Sequence, residues 1–336
     1  MLRFMLVGAI GLFALSPAQA QTDDVKGKTV TIVTSTGPGG GYDLIARVIS
    51  RHMPRYLPGQ PNMIVQNMPG GGNVLATNHM YTVAPKDGTM IAVINNAIPL
   101  HQVLDGRGVR YDVRKFNWLG STGAKNSVTF VWHTTGITSI QEVMTREITL
   151  GGTAPASDIV IYPTVMNNVL GTKFKIVLGY QSGKEMALAL ERQEVDGRGS
   201  WSWSSFKREA MARLQSGEYV VLLQMATQKS PELPNVPLVL DYAKDEDQKQ
   251  ILELLLAGQS MAWPYFVASA VPADRVALLR GAFQATLKDK EALEEANKLQ
   301  IDIEGVTGEE ITALIKKLYA LPPPIIQKVR ELAGRT

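Results

Sequence analysis

Thr34-Ser35-Thr36-Gly37-Pro38-Gly39-Gly40-Gly41-Tyr42-Asp43-Leu44-Ile45-Ala46-Arg47 is the stretch whose reading decides the fold. Ahead of it, Lys28–Thr34 (KTVTIVT) alternates with β-branched residues and is expected to be a buried strand. Behind it, Leu44, Ile45, Val48, Ile49 and His52 or Met53 recur at helical spacing. Strand, glycine-rich turn and helix therefore follow one another. A helix N-terminus leaves N–H groups unpaired and carries partial positive charge. Glycine lets a ligand approach that backbone closely, so the turn can hold a carboxylate, phosphate or sulfate. Glycine there also serves a tight βα turn and nothing more, and the loop alone leaves both readings open.

The unit recurs. Met63–Gln66 is expected to be a strand entering Pro69-Gly70-Gly71-Gly72-Asn73 and a helix near Val74–Thr82; Thr89–Ile94 is a strand ending in Asn95-Asn96. A second series starts at Ser127–His133. Glu147–Leu150 runs into Gly151–Asp158 and the helix Ile159–Leu170, and Phe174–Leu178 runs into Gly179–Gly183 and the helix Lys184–Arg192. Val195 opens a short strand running into Gly197-Arg198-Gly199-Ser200-Trp201-Ser202-Trp203, and Tyr219–Gln224 is a further strand. Helices near Asp274, Lys290–Leu299, Glu309–Leu318 and Pro324–Leu332 close the chain. The pattern predicts two α/β halves with largely parallel sheets. Such sheets bind ligands beyond the carboxyl ends of their strands, where these loops lie. Trp201 and Trp203, two apart on a strand, would share one face, either as core or as a stacking wall for a ring.

The chain has 336 residues, 34 Lys plus Arg against 31 Asp plus Glu, and no cysteine. The balance lacks the basic stripe of a nucleic-acid binder, and the missing thiols exclude disulfides, Fe–S clusters and a Cys nucleophile. Neither glycine loop continues into the Gly-Lys-Ser/Thr of a P-loop, and Tyr42 stands where a Rossmann turn needs its third glycine. There is no G-x-S-x-G elbow. The expectation is a non-enzyme with no catalytic residue, metal or cofactor. Met1–Ala20 has a basic start, an apolar run over Phe4–Leu15 and Ala18-Gln19-Ala20, the pattern of a signal peptide. An exported chain beginning at Gln21 is expected, in the periplasm if the host is Gram-negative.

Gly37–Arg47 resembles the "PPGGGTDLIAR" signature of the Bug family, the periplasmic substrate-binding proteins of tripartite tricarboxylate transporters. Asn67–Asn73 is similar to that family's "N-x-P-G-A-G-G" loop, Pro85–Thr89 to "P-D-G-Y-T", Tyr111–Phe116 to "YDPLKDF", Tyr180–Gly183 to "Y-K-G-G" and Ser230–Pro237 to "S-P-A-L-P-D-V-P". The resemblance implies a type II periplasmic-binding-protein fold: two α/β domains joined by two hinge segments with a ligand cleft between them. It places the signal peptide at 1–20, domain I at 21–124 plus 266–336, and domain II at 125–265. The crossings would fall near Gly120–Trp132 and Met261–Ala270. It implies a small carboxylate ligand (a di- or tricarboxylate or an aromatic acid), a monomer, and delivery to the large and small permease subunits. A two-component sensor kinase is the alternative partner. The expected contacts are Gly39, Gly40, Gly41, Tyr42 and Asp43; Gly71, Gly72 and Asn73; Asn95 and Asn96; and, from the other half, Thr153, Ala154, Ser157, Asp158, Tyr180, Ser182 and Trp201. Asp43 and Asp158 suit helix N-caps better than contact with an anion.

Overall fold

The computed structural model describes residues 25–104, 106–124 and 126–332; the expected signal peptide lies outside them. The chain opens with β1 (Thr29–Thr34), α1 (Gly41–His52), β2 (Asn62–Asn67), α2 (Val74–Thr82), β3 (Met90–Val93), α3 (Ile98–Leu104) and β4 (Asn117–Ser121). It continues through β5 (Ser127–Trp132), α4 (Ile140–Val143), β6 (Ile148–Gly152), α5 (Asp158–Leu170), β7 (Phe174–Leu178), α6 (Gly183–Glu191), β8 (Gly197–Ser202), α7 (Trp203–Gln215), β9 (Tyr219–Met225) and α8 (Glu246–Leu256). It closes with β10 (Pro264–Val267), α9 (Ala273–Thr286), α10 (Lys290–Lys298), β11 (Val306–Thr307), α11 (Gly308–Tyr319) and α12 (Pro323–Leu332).

Two sheets result. The first has the order β11-β4-β10-β3-β1-β2 and the second β7-β6-β8-β5-β9. The expected parallel pairing holds only at one end of each sheet: β1 with β2 and β3, and β6 with β7 and β8. β10 runs antiparallel to both β3 and β4, and β5 antiparallel to β8 and β9. The sheets are mixed because strands that carry the chain between lobes must enter and leave each sheet in opposite directions.

The first crossing follows β4. On the return, β10 begins at Pro264 and lies wholly in the first sheet, so the second crossing lies upstream of Pro264. Phe116 stacks on Phe266 at 4.0 Å and 3°, with Trp118 beside both, which pins β10 into its lobe. Such an aromatic pair adds about 1 kcal/mol beyond its buried area. Apolar burial divides by sheet, with an exchange at the ends. Ala97 and Leu100 near and on α3, and Val329 on α12, join the core of the second sheet with Leu150, Tyr162 and Leu252. α12 thus packs on α5 as well as α3, although it follows the first-lobe strands in sequence. No helix among the described residues is long and apolar enough to cross a membrane.

Candidate functional site

Between the two sheets lies a cleft of about 460 Å³. Its first wall is the turn after β1. Gly40 is the N-cap of α1 and supplies no side chain, so the first-turn N–H groups of α1 are left to whatever enters. Asp43 braces the turn from behind. Its carboxylate accepts from Gly39 N (2.9 Å), from Arg47 Nε and Nη2 (3.0 and 2.9 Å) and from Asn67 Nδ2 (2.9 Å). Burial opposes ionisation of Asp43, but these donors outweigh it and hold the carboxyl below its ordinary value. All of its acceptor capacity is turned inward. It stands outside the lining of the cleft, and Gly40, not Asp43, is the N-cap of α1.

Tyr42 points across the base of the cleft. Its hydroxyl reaches Ala262 O at 3.2 Å and accepts from Asn96 N at 3.2 Å, and its ring meets Trp263 edge-on at 6.3 Å. Burial and the negative charge of Asp158 keep the phenol protonated. Asn96 is spent behind it on Gly258 O (3.0 Å). Asn95 faces the other lobe, where its Nδ2 donates to Asp158 Oδ1 at 3.2 Å.

In the opposite wall the turn between β6 and α5 is closed on itself. Thr153 Oγ1 donates to Ser157 Oγ (2.9 Å), which donates to Ala154 O (2.7 Å). Both hydroxyl protons are used, so these side chains offer acceptors only. Ser157, not Asp158, is the N-cap of α5. Asp158 is buried in the wall and also accepts from Ser200 Oγ at 3.0 Å. Across the cleft, a Cβ on Gly72 (φ +65°) would lie 3.0 Å from Ala156 Cβ and 3.3 Å from Ala154 Cβ. Gly72 and Ala154 are thus contacts between lobes rather than cleft lining.

Arg198 places a buried cation in the cleft. It sits on β8 at 7% exposure, its Nε donating to Ser200 O at 2.9 Å and its guanidinium 4.5 Å above the Trp201 ring. Nη1 has no hydrogen-bond partner, and no carboxylate among the described residues lies within salt-bridge distance. Burial lowers its pKa to about 10, which leaves it charged at neutral pH. A buried cation without an ion-pair partner is costly. Both Nη atoms lie near the start of α6, where a Cβ on Gly183 would meet each at 3.2 Å.

Of the residues expected from sequence, Gly39, Gly40, Gly41, Tyr42, Asn73, Asn95, Thr153, Ser157, Asp158, Ser182 and Trp201 line the cleft. Asp43, Gly71, Gly72, Asn96, Ala154 and Tyr180 stand outside its lining. The Tyr180 ring covers Gly151 at the end of β6 instead. Trp201 and Trp203 do not share a strand face, because β8 ends at Ser202 and Trp203 opens α7. Trp203 Nε1 turns to Glu232. Trp201 reaches the cleft with Arg198 over its ring and Phe130 and Phe206 against it. Sequence reasoning missed Arg198 and Trp263. The signal for Arg198 was a lone cation between two glycines. Gly197 and Gly199 are small because Phe130 O and Pro163 Cγ occupy the space their side chains would need, so this is a close-packed strand and not a loop.

The two sheets with a cleft between them have the type II periplasmic-binding-protein fold, which solved structures share. BugD superposes with a TM-score of 0.72 at 18% identity, covering 91% of this chain and 98% of that one. MatC from Rhodopseudomonas palustris with bound malate gives 0.69 at 19%, over 91% and 98%. A second R. palustris protein, with adipate, gives 0.70 at 18%, over 91% and 97%. The structural neighbours are thus periplasmic binding proteins of the Bug and TctC type, the family the sequence motifs resemble. In sequence, the chain is 35% identical over 112 residues to the UPF0065 protein in the gbd 5' region of Cupriavidus necator, a match spanning 33% of this chain and 32% of that protein. No family model matches.

Proposed function

We propose that this chain is a periplasmic solute-binding protein that closes its two lobes over a small carboxylate-bearing molecule and does no chemistry on it. The observation that carries this is Arg198, a buried guanidinium facing the cleft without a carboxylate partner, opposite a glycine turn at the start of α1. A carboxylate entering the cleft would complete both, because a guanidinium held on one edge and one face presents a fork matched to that group. An aliphatic acid suits the cleft better than an aromatic one: Arg198 covers one face of Trp201, and Phe130 and Phe206 pack against the ring. Closure needs a ligand that favours the closed form, and the fit of Ala156 against Gly72 supplies a surface on which the lobes meet. The fold is shared with proteins solved with malate and with adipate. The carboxylate would be handed to a membrane permease of one large and one small subunit. The test is a thermal-shift panel of organic acids on the purified chain, followed by mass spectrometry of the recovered ligand. A ligand at about 100 times its Kd adds about 2.7 kcal/mol to the folded state. An acid that stabilises the chain and is recovered unchanged is the expected result. Conversion of that acid would overturn the non-enzymatic reading.

A further inference from the structure

We propose that the cleft selects an unbranched aliphatic monocarboxylate of medium length, and that Leu188 on α6 is the residue that reads its tail. This rests on the carboxylate reading given above and deepens it.

One face of α6 forms part of the second wall. Lys184, Ala187, Leu188 and Glu191 line the cleft, and their spacing of three and four places them on one side of the helix. Met186, Ala189 and Leu190 are buried on the opposite side. Reciprocal hydrogen bonds fix where the helix starts. Ser182 Oγ accepts from Glu185 N at 3.2 Å, and Glu185 Oε2 accepts from Gln181 N at 2.6 Å. A Cβ on Gly37 would lie 3.8 Å from Ser182 Cβ, so the first lobe comes up against this end of α6.

Leu188 is the feature that asks for an occupant. Seven large apolar side chains are exposed among the described residues, and of these Leu188 alone lines the cleft, at 47% exposure. Its surface is open, so a ligand can cover it directly. Ala187 beside it and Ile159 of α5 extend the apolar lining. An aliphatic chain laid against Leu188 removes apolar area from water on both partners.

The charges along the same face give the ligand its polarity. At the start, Lys184 follows Gly183, and a Cβ on Gly183 would lie 3.2 Å from both Nη atoms of Arg198. The helix N-terminus adds partial positive charge there. At the end stands Glu191, whose partner Arg213 (2.6 Å) also holds Glu218 (2.5 Å). One guanidinium against two carboxylates leaves this end negative, and the helix C-terminus adds to it. Arg208 and Glu209 in the lining pair with each other, and Asp158 is bonded to Asn95 and Ser200. A carboxylate head therefore belongs at the start of α6, with the tail over Ala187 and Leu188. A second carboxylate at the far end of the tail would meet repulsion. From Gly183 to Leu188 the helix rises about 7.5 Å, a span that an extended chain of about six carbons covers.

Butanoate, hexanoate and adipate are the probes, titrated into the full chain by calorimetry. Hexanoate should bind at least about tenfold more tightly than butanoate, since each buried methylene is worth about fourfold. Leu188→Ser should bring that ratio to within about twofold of one, with an unchanged melting temperature because the side chain is exposed. Hexanoate should also bind at least about tenfold more tightly than adipate, the scale of a like-charge contact. Glu191→Gln should shrink the hexanoate-to-adipate ratio several-fold. Equal binding of butanoate and hexanoate, or a ratio that survives Leu188→Ser, would overturn the role of Leu188. Adipate binding as tightly as hexanoate would overturn the single-charge ligand. In each of those cases an acid still binds, so the carboxylate reading stands while this inference falls. A chain that melts cooperatively and responds to none of these acids, nor to any in the wider panel, would overturn both.

Discussion

The two walls of the cleft are made of different materials. The wall from the first lobe is backbone: Gly39, Gly40 and Gly41 bring helix N–H groups to the surface, and Asp43 tightens the turn from behind. The wall from the second lobe is side chain: Arg198 laid over Trp201, with Asp158 bonded to Asn95 and Ser200. A backbone wall recognises an anion through partial charges and tolerates a range of shapes. A side-chain wall places whole charges at fixed points and so sets which molecule fits. The difference predicts that substitutions in the second wall change binding more than those in the first, and that only the second carries a stability cost that ligand relieves.

The largest effect should come from Arg198→Met. Truncating one member of a buried charge pair costs about 2–5 kcal/mol, so calorimetry should show affinity for the carboxylate falling by at least about 30-fold. The same substitution removes a buried cation with no ion-pair partner, so the ligand-free protein should melt at a higher temperature, by about 1 kcal/mol or more. Lower stability without ligand would mean that Arg198 is a structural residue, and the contrast between the walls would collapse.

Gly40→Val comes next. A Cβ there meets nothing nearer than Gly37 O at 4.0 Å, and the residue lies outside the positive-φ region. The side chain should therefore fill the approach to the α1 terminus without unfolding the protein. Affinity should fall by about 10-fold, the loss of about 1.4 kcal/mol, with an unchanged melting temperature. Unaltered affinity would remove the first wall from recognition.

Asp43→Asn separates bracing from binding. Hydrogen bonds to a charged group are worth about 1.5–3 kcal/mol, so urea unfolding at pH 7 should show a loss of about 2 kcal/mol. Because the folded carboxyl is held below its ordinary value, its contribution is present above the unfolded-state pKa and disappears as pH falls through the folded one. The gap between wild type and variant should therefore close as pH falls through the folded carboxyl's pKa, below the ordinary carboxylate range. A gap that persists there would mean that the charge of Asp43 is not what holds the turn. The smallest effect belongs to Trp203→Phe. With Trp203 turned to Glu232 and away from the carboxylate cleft, affinity for the acid should stay within about twofold by calorimetry, a change under about 0.4 kcal/mol. A larger change would restore the paired-tryptophan wall.

The first wall was legible in the sequence because its recognition device is glycine, and glycine next to a helix start is visible in a string of letters. The positions of Gly39–Gly41, Asn73, Asn95 and the β6–α5 turn follow from the strand–loop–helix rhythm alone. Gly72 and Ala154 belong to the same motifs but face each other across the lobes, and no local pattern reports which side of a loop meets a neighbour. Asp43 reads as a cap by position, yet its partners Arg47 and Asn67 are needed to show that its charge is fully turned inward. Trp201 and Trp203 read as one face because period 2 assumes that the strand continues, and β8 ends between them.

By itself the sequence determined that the chain forms two α/β halves with anion-ready turns at helix starts, because alternation, helical spacing and glycine act over a few neighbouring residues. The family motifs carried the same information to the fold. Only the tertiary structure showed that Arg198 is a buried cation at the cleft. Among the basic residues lining the cleft it is set apart by burial without an ion-pair partner. Burial is a property of what surrounds a residue, contributed here by β8, α6 and Trp201 together.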